Sequence, residues 1–237
     1  ALSLGGWTTY GGSVQESDSI RQILTKAFDK GVNFFDIADV YERGACETAM
    51  GAVLRDLPRN EIVVSSKVFW PMSDDVNDRG LSRKHIVESI DKSLKRLGMD
   101  YLDIYFCHRF DTETPLEETV RALDDLVRAG KILYWGTSEW TGEQLRRATE
   151  ISLRTNGYGP AVEQPQYHLL CRSKVEQDVA PTAIELGIGL VNWSPLASGV
   201  LTGKYDNGIP AGSRLDRHEW LRTSAYQEER IAKVRAF

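Results

Sequence analysis

The sequence predicts a parallel α/β fold of the (β/α) barrel type. Strand-like and helix-like segments alternate along its 237 residues, as in a parallel sheet that is covered by helices. This alternation alone does not distinguish an open doubly wound sheet from a closed barrel. Six successive predicted strands end in polar residues, which favours a barrel because active sites of that fold lie at those ends. The six residues are Asp36, Lys67, His108, Ser138, Gln164 and Ser194. The absence of GxGxxG after the first strand argues against a Rossmann domain.

The first half of the chain contains four predicted strands with helices between them. Runs of large apolar and β-branched residues predict buried strands at residues 2–7, 32–35, 61–68 and 102–109. Apolar residues at helical spacing predict a helix that begins near Asp18 and stops at Gly31, and another over 47–57 that is closed by Pro58. The third helix has Ser82 as its predicted N-cap and ends at Gly98.

The second half continues the alternation up to a seventh strand. Thr114, Pro115 and Glu117 predict a cap, a first-turn proline and a capping-box acid for a helix that ends at Gly130. Thr141 with Gln144, and Ser173 with Glu176, predict two further helix starts, and Pro181 predicts a break or kink in the second of these. Strands are predicted at 131–138, 161–167 and 188–195.

Only seven strands are predicted, and residues 227–237 are helix-like. We therefore expect one barrel domain over residues 1–237 from which the C-terminal eighth strand is missing. Because the chain also starts without Met, we expect it to be a fragment of a longer protein.

Composition excludes several classes of protein. A net charge of −5 with a pI near 5.5 argues against nucleic-acid binding, which usually requires a basic surface. Three widely spaced cysteines without a CxxC motif predict neither disulfides nor a zinc knuckle, and so favour a reducing, cytoplasmic location. No apolar run reaches ~18 residues, so no membrane insertion is expected. No HxH or paired-carboxylate spacing at a strand end predicts a metal centre, which disfavours a metal-dependent barrel hydrolase.

Asp36, Tyr41, Lys67 and His108 lie at or just after three successive predicted strands. A tyrosine is a poor acid at neutral pH unless its phenolate is stabilised, and a nearby ammonium such as Lys67 would provide that. Asp36 would keep Lys67 charged, and His108 would orient a carbonyl oxygen. Each residue alone is more often structural, but the set together predicts protonation of an oxygen as hydride reaches its carbon.

These residues resemble those of the aldo-keto reductase family. FDIADVYERG matches its strand-end Asp followed five residues later by Tyr, and SSKVF and CHRFD match the segments that carry its Lys and His. The similarity runs from LGGW to the end of the chain. GLSRKHI, YWGTSEW and NWSPLASGVLTGKYDNGIP resemble the branch that contains the β subunits of voltage-gated potassium channels and their microbial and plant relatives.

The resemblance implies roles for individual residues. Asp36, Tyr41, Lys67 and His108 would be the catalytic tetrad, with Tyr41 as the general acid. The resemblance also implies NADPH rather than NADH as the cofactor. Gly6 and Trp7 would border the nicotinamide and substrate pocket; Ser138 and Gln164 would bind the carboxamide; Trp193 would stack on the ring. The pyrophosphate would be held by Ser194, Leu196, Ser198 and Gly199, and the adenosine phosphates by Thr202, Lys204 and Arg214.

Two positions depart from the pattern of the channel subunits. His108 replaces their usual Asn, which favours a competent enzyme. Glu139 stands where relatives carry Asn or Arg, so a cofactor contact at this position is not expected to be kept.

We expect a reductase of small-molecule aldehydes or ketones, with a cofactor-sensing binding module similar to a channel β subunit as the alternative. The pocket is expected to be aromatic and apolar, from Trp7, Phe69, Trp70, Phe110 and Trp140. The resemblance also implies a homo-tetramer or a larger ring.

Overall fold

The computed structural model describes residues 2–236 and contains a single parallel sheet within them. Its seven strands follow one another in chain order and curl into a partial (β/α)8 barrel, as the sequence predicted. Within residues 2–236, the first and last strands each pair with one neighbour only. The strands are β1 (Ser3–Gly5), β2 (Phe34–Asp36), β3 (Val63–Val68), β4 (Leu102–Cys107), β5 (Ile132–Ser138), β6 (Val162–Gln164) and β7 (Gly189–Leu190).

The predicted strands are longer than the observed ones, most of all at the end of the chain. The stretch 188–195 forms only the two-residue β7, after which Trp193 makes an isolated bridge with Gln166. The apolar composition therefore identified the strand, but its length depends on how far the neighbouring strand provides hydrogen-bond partners.

Within residues 2–236, six α-helices separate the seven strands, and three more follow the last strand. They are α1 (Ser17–Asp29), α2 (Ala45–Leu54), α3 (Arg83–Leu97), α4 (Leu116–Arg128), α5 (Gly142–Arg154), α6 (Ala180–Leu186), α7 (Arg214–Arg217), α8 (Glu219–Ala225) and α9 (Glu228–Arg235).

The predicted helix starts are confirmed at α3 and α5 and wrong at α4. Ser82 accepts a hydrogen bond from the backbone N–H of His85, and Thr141 forms a reciprocal capping box with Gln144. Before α4, Thr114 instead donates its hydroxyl to Asp111 Oδ2 at 2.7 Å, and Pro115 occupies the N-cap position without a side-chain cap. The hydroxyl of Thr114 therefore bonds to Asp111 and does not cap α4 as the sequence predicted.

The break expected at Pro181 is a π-helical turn over Val175–Val179, which runs directly into α6. Proline has no N–H to donate to the helical ladder, and a π turn inserts one extra residue ahead of it. The helix therefore continues through the proline with a local change of pitch.

Two apolar clusters hold the fold together. The larger lies between the sheet and its helices and includes the fully buried Trp135 and Phe35. The smaller joins the segment after β7 to α7, α8 and α9 through residues such as Tyr205 and Leu215, and Trp7 packs against it. This second cluster holds the 194–226 segment beside the C-terminal end of the sheet. No helix within residues 2–236 is both long and apolar enough to cross a bilayer.

Candidate active site

Asp36, Tyr41, Lys67 and His108, here called the quartet, come together at the C-terminal end of the sheet. Asp36 is the last residue of β2, Lys67 lies near the end of β3, and His108 directly follows β4. Tyr41 begins the 3-10 turn Tyr41–Gly44 that follows β2. Adjacent parallel strands place these ends side by side, so residues distant in sequence become neighbours.

Lys67 lies at the centre of the quartet and is completely buried. Its Nζ donates to both carboxylate oxygens of Asp36 at 2.9 Å, to the carbonyl oxygen of Ile37 at 2.7 Å, and to Tyr41 Oη at 3.3 Å. Ser65 donates to Asp36 Oδ1 at 2.7 Å, which helps to orient the carboxylate. The ammonium therefore has acceptors on every side, and one of them is the phenol of Tyr41.

The pKa values of Lys67 and Tyr41 are both raised above their ordinary values. Burial acts to lower the pKa of Lys67, but Asp36 and Tyr41 outweigh it and raise that pKa above its ordinary value, so Lys67 is charged. For Tyr41, burial raises the pKa, and Lys67 only partly offsets this effect. Lys67 therefore favours the phenolate, as the sequence predicted, but burial has the larger effect, so Tyr41 keeps its proton at neutral pH.

His108 is the neutral member of the quartet. Burial, together with the charges of Lys67 and Arg109, holds the pKa of His108 well below its usual range. Its ring lies edge-on to that of Tyr41, with the ring centroids 5.9 Å apart. A neutral imidazole in this position can donate a hydrogen bond to an oxygen beside Tyr41, but it is not charged at neutral pH.

A cavity of about 720 Å³ opens onto the quartet. Asp36, Tyr41 and His108 line it, while Lys67 lies behind them. Of the residues predicted to contact a nicotinamide, four contribute to the wall: Trp7, Ser138, Gln164 and Trp193. Gly6 does not line the cavity; it packs so closely against the core that an added Cβ would lie 2.5 Å from Cys46 Sγ.

The aromatic wall also differs from the expected one. Trp7 and Trp70 line the cavity as predicted, whereas Phe69, Phe110 and Trp140 do not. Phe110 and Trp140 instead pack against each other at 4.9 Å between ring centroids. Trp220, far along the chain in α8, lines the cavity and packs against Trp7, with the ring centroids 5.6 Å apart and the rings tilted by 55°.

Glu139 fixes the orientation of the Trp193 indole. Its Oε1 accepts from Trp193 Nε1 at 3.0 Å, and its Oε2 pairs with Lys174 at 2.8 Å. Burial alone would raise the pKa of Glu139, but Lys174 and these hydrogen bonds lower it, so the carboxylate is ionised. Glu139 does not line the cavity itself but holds Trp193, which does.

A second, basic cavity adjoins the first and shares Ser194, Pro195 and Arg214 with it. All the residues predicted to hold phosphates line it, and Arg217 joins them; the predicted ones are Ser194, Leu196, Ser198, Gly199, Thr202, Lys204 and Arg214. Its lining carries three cationic side chains and no carboxylate. Such a lining, continuous with the cavity above the quartet, fits the phosphates of a dinucleotide.

The segment around Ser198 is a tight turn with an unusual backbone. Ser194, Ala197, Ser198 and Gly199 all have positive φ angles. The turn is closed from within, because the N–H groups of Ala197 and Ser198 donate to Ser194 and that of Gly199 donates to the carbonyl oxygen of Leu196. Gly199 has φ 94°, and an added Cβ would lie 2.8 Å from Lys204 Cε. A side chain at this position would therefore displace the lysine.

Glu163, on β6 beside Gln164, is a buried carboxyl that the sequence analysis did not single out. It accepts from Thr137 Oγ1 at 2.5 Å and from the backbone N–H of Trp140 at 3.2 Å. Burial raises its pKa from 4.5 to about 7, and these hydrogen bonds and Lys174 only partly oppose that rise. Glu163 therefore loses its proton in the folded protein near neutral pH.

We expect Glu163→Gln to stabilise the protein at pH 8 by about 2 kcal/mol. The unfolded chain ionises Glu163 near pH 4.5, whereas the folded protein does so near pH 7, so stability is lost as the pH rises between these values. The amide cannot ionise and avoids this loss. Urea unfolding at pH 5 and pH 8 measures it, with the exposed Glu185→Gln as the control. Equal effects of Glu163→Gln at both pH values would contradict the prediction.

Arg109 and Trp220 are cavity residues that the sequence analysis missed. Arg109 directly follows His108 in the sequence CHRFD, so its place near the site could have been predicted. No feature of the sequence around Trp220 indicates that it lines the cavity. Within residues 2–236, no three or more His, Cys, Asp or Glu side chains are grouped to hold a metal ion.

Comparison with known proteins agrees with this geometry. A family model described as the aldo/keto reductase family matches residues 1–235. A "Probable voltage-gated potassium channel subunit beta" of Oryza sativa subsp. japonica is 48% identical over 98% of the chain and 72% of its own length. The protein of the same name in Arabidopsis thaliana is 47% identical with the same coverage. A "Putative voltage-gated potassium channel subunit beta" of Schizosaccharomyces pombe is 45% identical over 91% of the chain and 63% of its own length. By sequence and by fold, the chain belongs to the aldo/keto reductase family.

Proposed function

We propose that the protein is an NADPH-dependent reductase of aldehydes or ketones. The observation that carries this proposal is the contact of Tyr41 with a charged, buried Lys67 in the wall of a cavity that continues into a basic one. A reduced nicotinamide cofactor, when bound, supplies hydride to a carbonyl carbon. The protein's own residues must then hold the carbonyl oxygen and give it a proton.

Tyr41 is the proposed proton donor. Its Oη is protonated at neutral pH and accepts from Lys67 Nζ, which would stabilise the phenolate formed as the proton leaves. Asp36 holds Lys67 in place through both carboxylate oxygens. His108, neutral and lining the same cavity, would donate a hydrogen bond that positions the substrate oxygen.

The cofactor would lie along the two cavities. Ser138 and Gln164 offer polar groups for the carboxamide, and Trp193, held by Glu139, offers a flat face for the ring. The pyrophosphate would lie beside Ser198 and Gly199, where the absence of a side chain on the glycine leaves room in the second cavity. Lys204, Arg214 and Arg217 supply the positive charge for a further phosphate, which is why we favour NADPH over NADH.

The direct test is a titration of the protein with NADPH and separately with NADH, followed through quenching of tryptophan fluorescence. Aromatic aldehydes are then added, and the loss of NADPH absorbance is recorded. We expect tighter binding of NADPH and its oxidation on aldehyde addition. The absence of binding would rule out the proposed cofactor site.

We expect Lys204→Ala to weaken NADPH binding about tenfold and NADH binding much less, because an exposed ammonium near an extra phosphate contributes mainly to that charge. Fluorescence titration with both cofactors measures the two changes. Lys26→Ala, in the last turn of α1, is the control for loss of one positive charge. Equal weakening of both cofactors would contradict the assignment of Lys204 to the extra phosphate.

A second candidate function is that of a cofactor-sensing module that docks on a channel. The names of the three relatives favour it. Tight NADPH binding with negligible turnover of every aldehyde, together with co-purification with a channel domain, would support this function. The presence of His108 in the cavity favours the reductase. The homo-tetramer or larger ring stays a prediction.

A further inference from the structure

Arg109 is a cation in the wall of the substrate cavity without a carboxylate partner. Its Nη1 donates to the carbonyl oxygen of His108 and, at 3.5 Å, to Ser138 Oγ. Within residues 2–236 the structure gives its guanidinium no other hydrogen bond and no ion pair. Two other partly buried arginines do have such a partner: Arg59 pairs with Asp103 and Arg96 with Glu47.

The remaining donors of Arg109 are available to the cavity. Nε and Nη2 have no hydrogen-bond partner within residues 2–236 and are not fully buried. Arg109 itself lines the cavity together with Tyr41 and His108. A guanidinium presents its N–H groups in a planar fork that matches the two oxygens of a carboxylate.

The surroundings of Arg109 indicate the shape of the ligand. Its Cζ lies 5.6 Å from the centroid of the Trp70 ring, and that ring lies 6.2 Å from the ring of His108. A flat, apolar face therefore connects the proposed oxygen-binding residue to the cation. The cavity lining contains one carboxylate, Asp36, and it is already bound to Lys67, so no acidic group on the lining opposes an anion there.

We propose that Arg109 selects carbonyl substrates that carry a carboxylate, with the acid group bound to its guanidinium and the carbonyl oxygen at Tyr41 and His108. This inference rests on the proposed reductase function and names its substrate class. Because His108 and Arg109 are consecutive residues, the class is expected to comprise carbonyl acids with an aromatic or short aliphatic body, and Trp70 offers that body an apolar surface. Neutral carbonyl compounds of equal size lack the contact and are poorer substrates.

The test compares two substrates that differ mainly in charge, 4-formylbenzoate and its methyl ester. We expect the wild-type protein to have at least about tenfold higher kcat/KM for the acid. Arg109→Gln should reduce the ratio of the two kcat/KM values about 10- to 100-fold, and Arg109→Lys, which keeps the charge but not the fork, should reduce it less. Arg55→Gln, an exposed position that follows α2, should keep the wild-type ratio.

A binding measurement separates this inference from the proposed function. Calorimetric titration of the wild-type chain and of Arg109→Gln with benzoate and with benzamide needs no turnover. We expect the wild-type chain to bind benzoate at least about tenfold more tightly than benzamide and the variant to lose this preference, although Arg214 also lines the cavity. If no aldehyde is reduced, the reductase function fails, while the benzoate result still decides the role of Arg109. Equal binding of the two ligands, or a substrate ratio that Arg109→Gln leaves unchanged, would overturn the inference. So would a variant that loses NADPH affinity and keeps the ratio, since Arg109 would then serve the cofactor.

Discussion

Replacement of Tyr41 by Phe is expected to lower kcat for aldehyde reduction by about 10²- to 10⁴-fold while the affinity for NADPH changes little. The substitution removes only the hydroxyl that accepts from Lys67 Nζ. The ring keeps its edge-on contact with His108 and its position 5.0 Å from Lys67 Nζ. Steady-state rates and fluorescence titration of the purified variant measure the two quantities.

Tyr105→Phe is the matched control for this loss. Tyr105 is fully buried, its hydroxyl has no hydrogen-bond partner within the described residues, and it does not line the cavity. Its removal should leave turnover near the wild-type value. A Tyr41→Phe variant with the wild-type rate would eliminate Tyr41 as the proton donor.

The same assignment fixes the pH profile. Because burial raises the pKa of Tyr41 above 10, the donor stays protonated through pH 9, and kcat/KM for reduction should not fall below that pH. Because the pKa of His108 is lowered, its protonation should not affect the rate near pH 6.5.

Replacement of Asp36 by Asn is expected to destabilise the protein by about 3 kcal/mol, since it leaves the buried ammonium of Lys67 without its counter-charge. Lys67 is fully buried, so solvent cannot replace the lost carboxylate. The asparagine keeps the size of the side chain, which limits the effect to charge. Urea unfolding at pH 7, followed by circular dichroism, measures the change in the free energy of unfolding.

Two variants serve as controls for the buried pair. Asp56→Asn removes the counter-charge of Arg21 in an exposed pair of the same 2.9 Å length and should cost less than about 1 kcal/mol. The double variant Asp36→Asn with Lys67→Met removes both buried charges and should recover part of the loss. If Asp36→Asn costs no more than Asp56→Asn, the ion pair does not hold the site together.

The sequence was sufficient for features that depend on local patterns. The alternation of strands and helices predicted the order of all seven strands, because burial on both faces of a parallel sheet requires continuous apolar runs. It also placed Asp36, Lys67 and His108 at strand ends, where the barrel geometry gathers them. Capping at Ser82 and Thr141 was predictable because each cap involves residues within one helical turn.

Only the tertiary structure decided features that depend on partners distant in the chain. The Trp193 indole bonds to Glu139, and Trp220 reaches the cavity from α8. The protonation states of the buried groups depended most on the tertiary structure, because burial and nearby charges set each pKa and the sequence shows neither. The sequence thus determined which side chains meet at the end of the sheet. Packing determined that Tyr41 keeps its proton, that Lys67 is charged, and that Arg109 lines the cavity without an ion pair to any residue of 2–236.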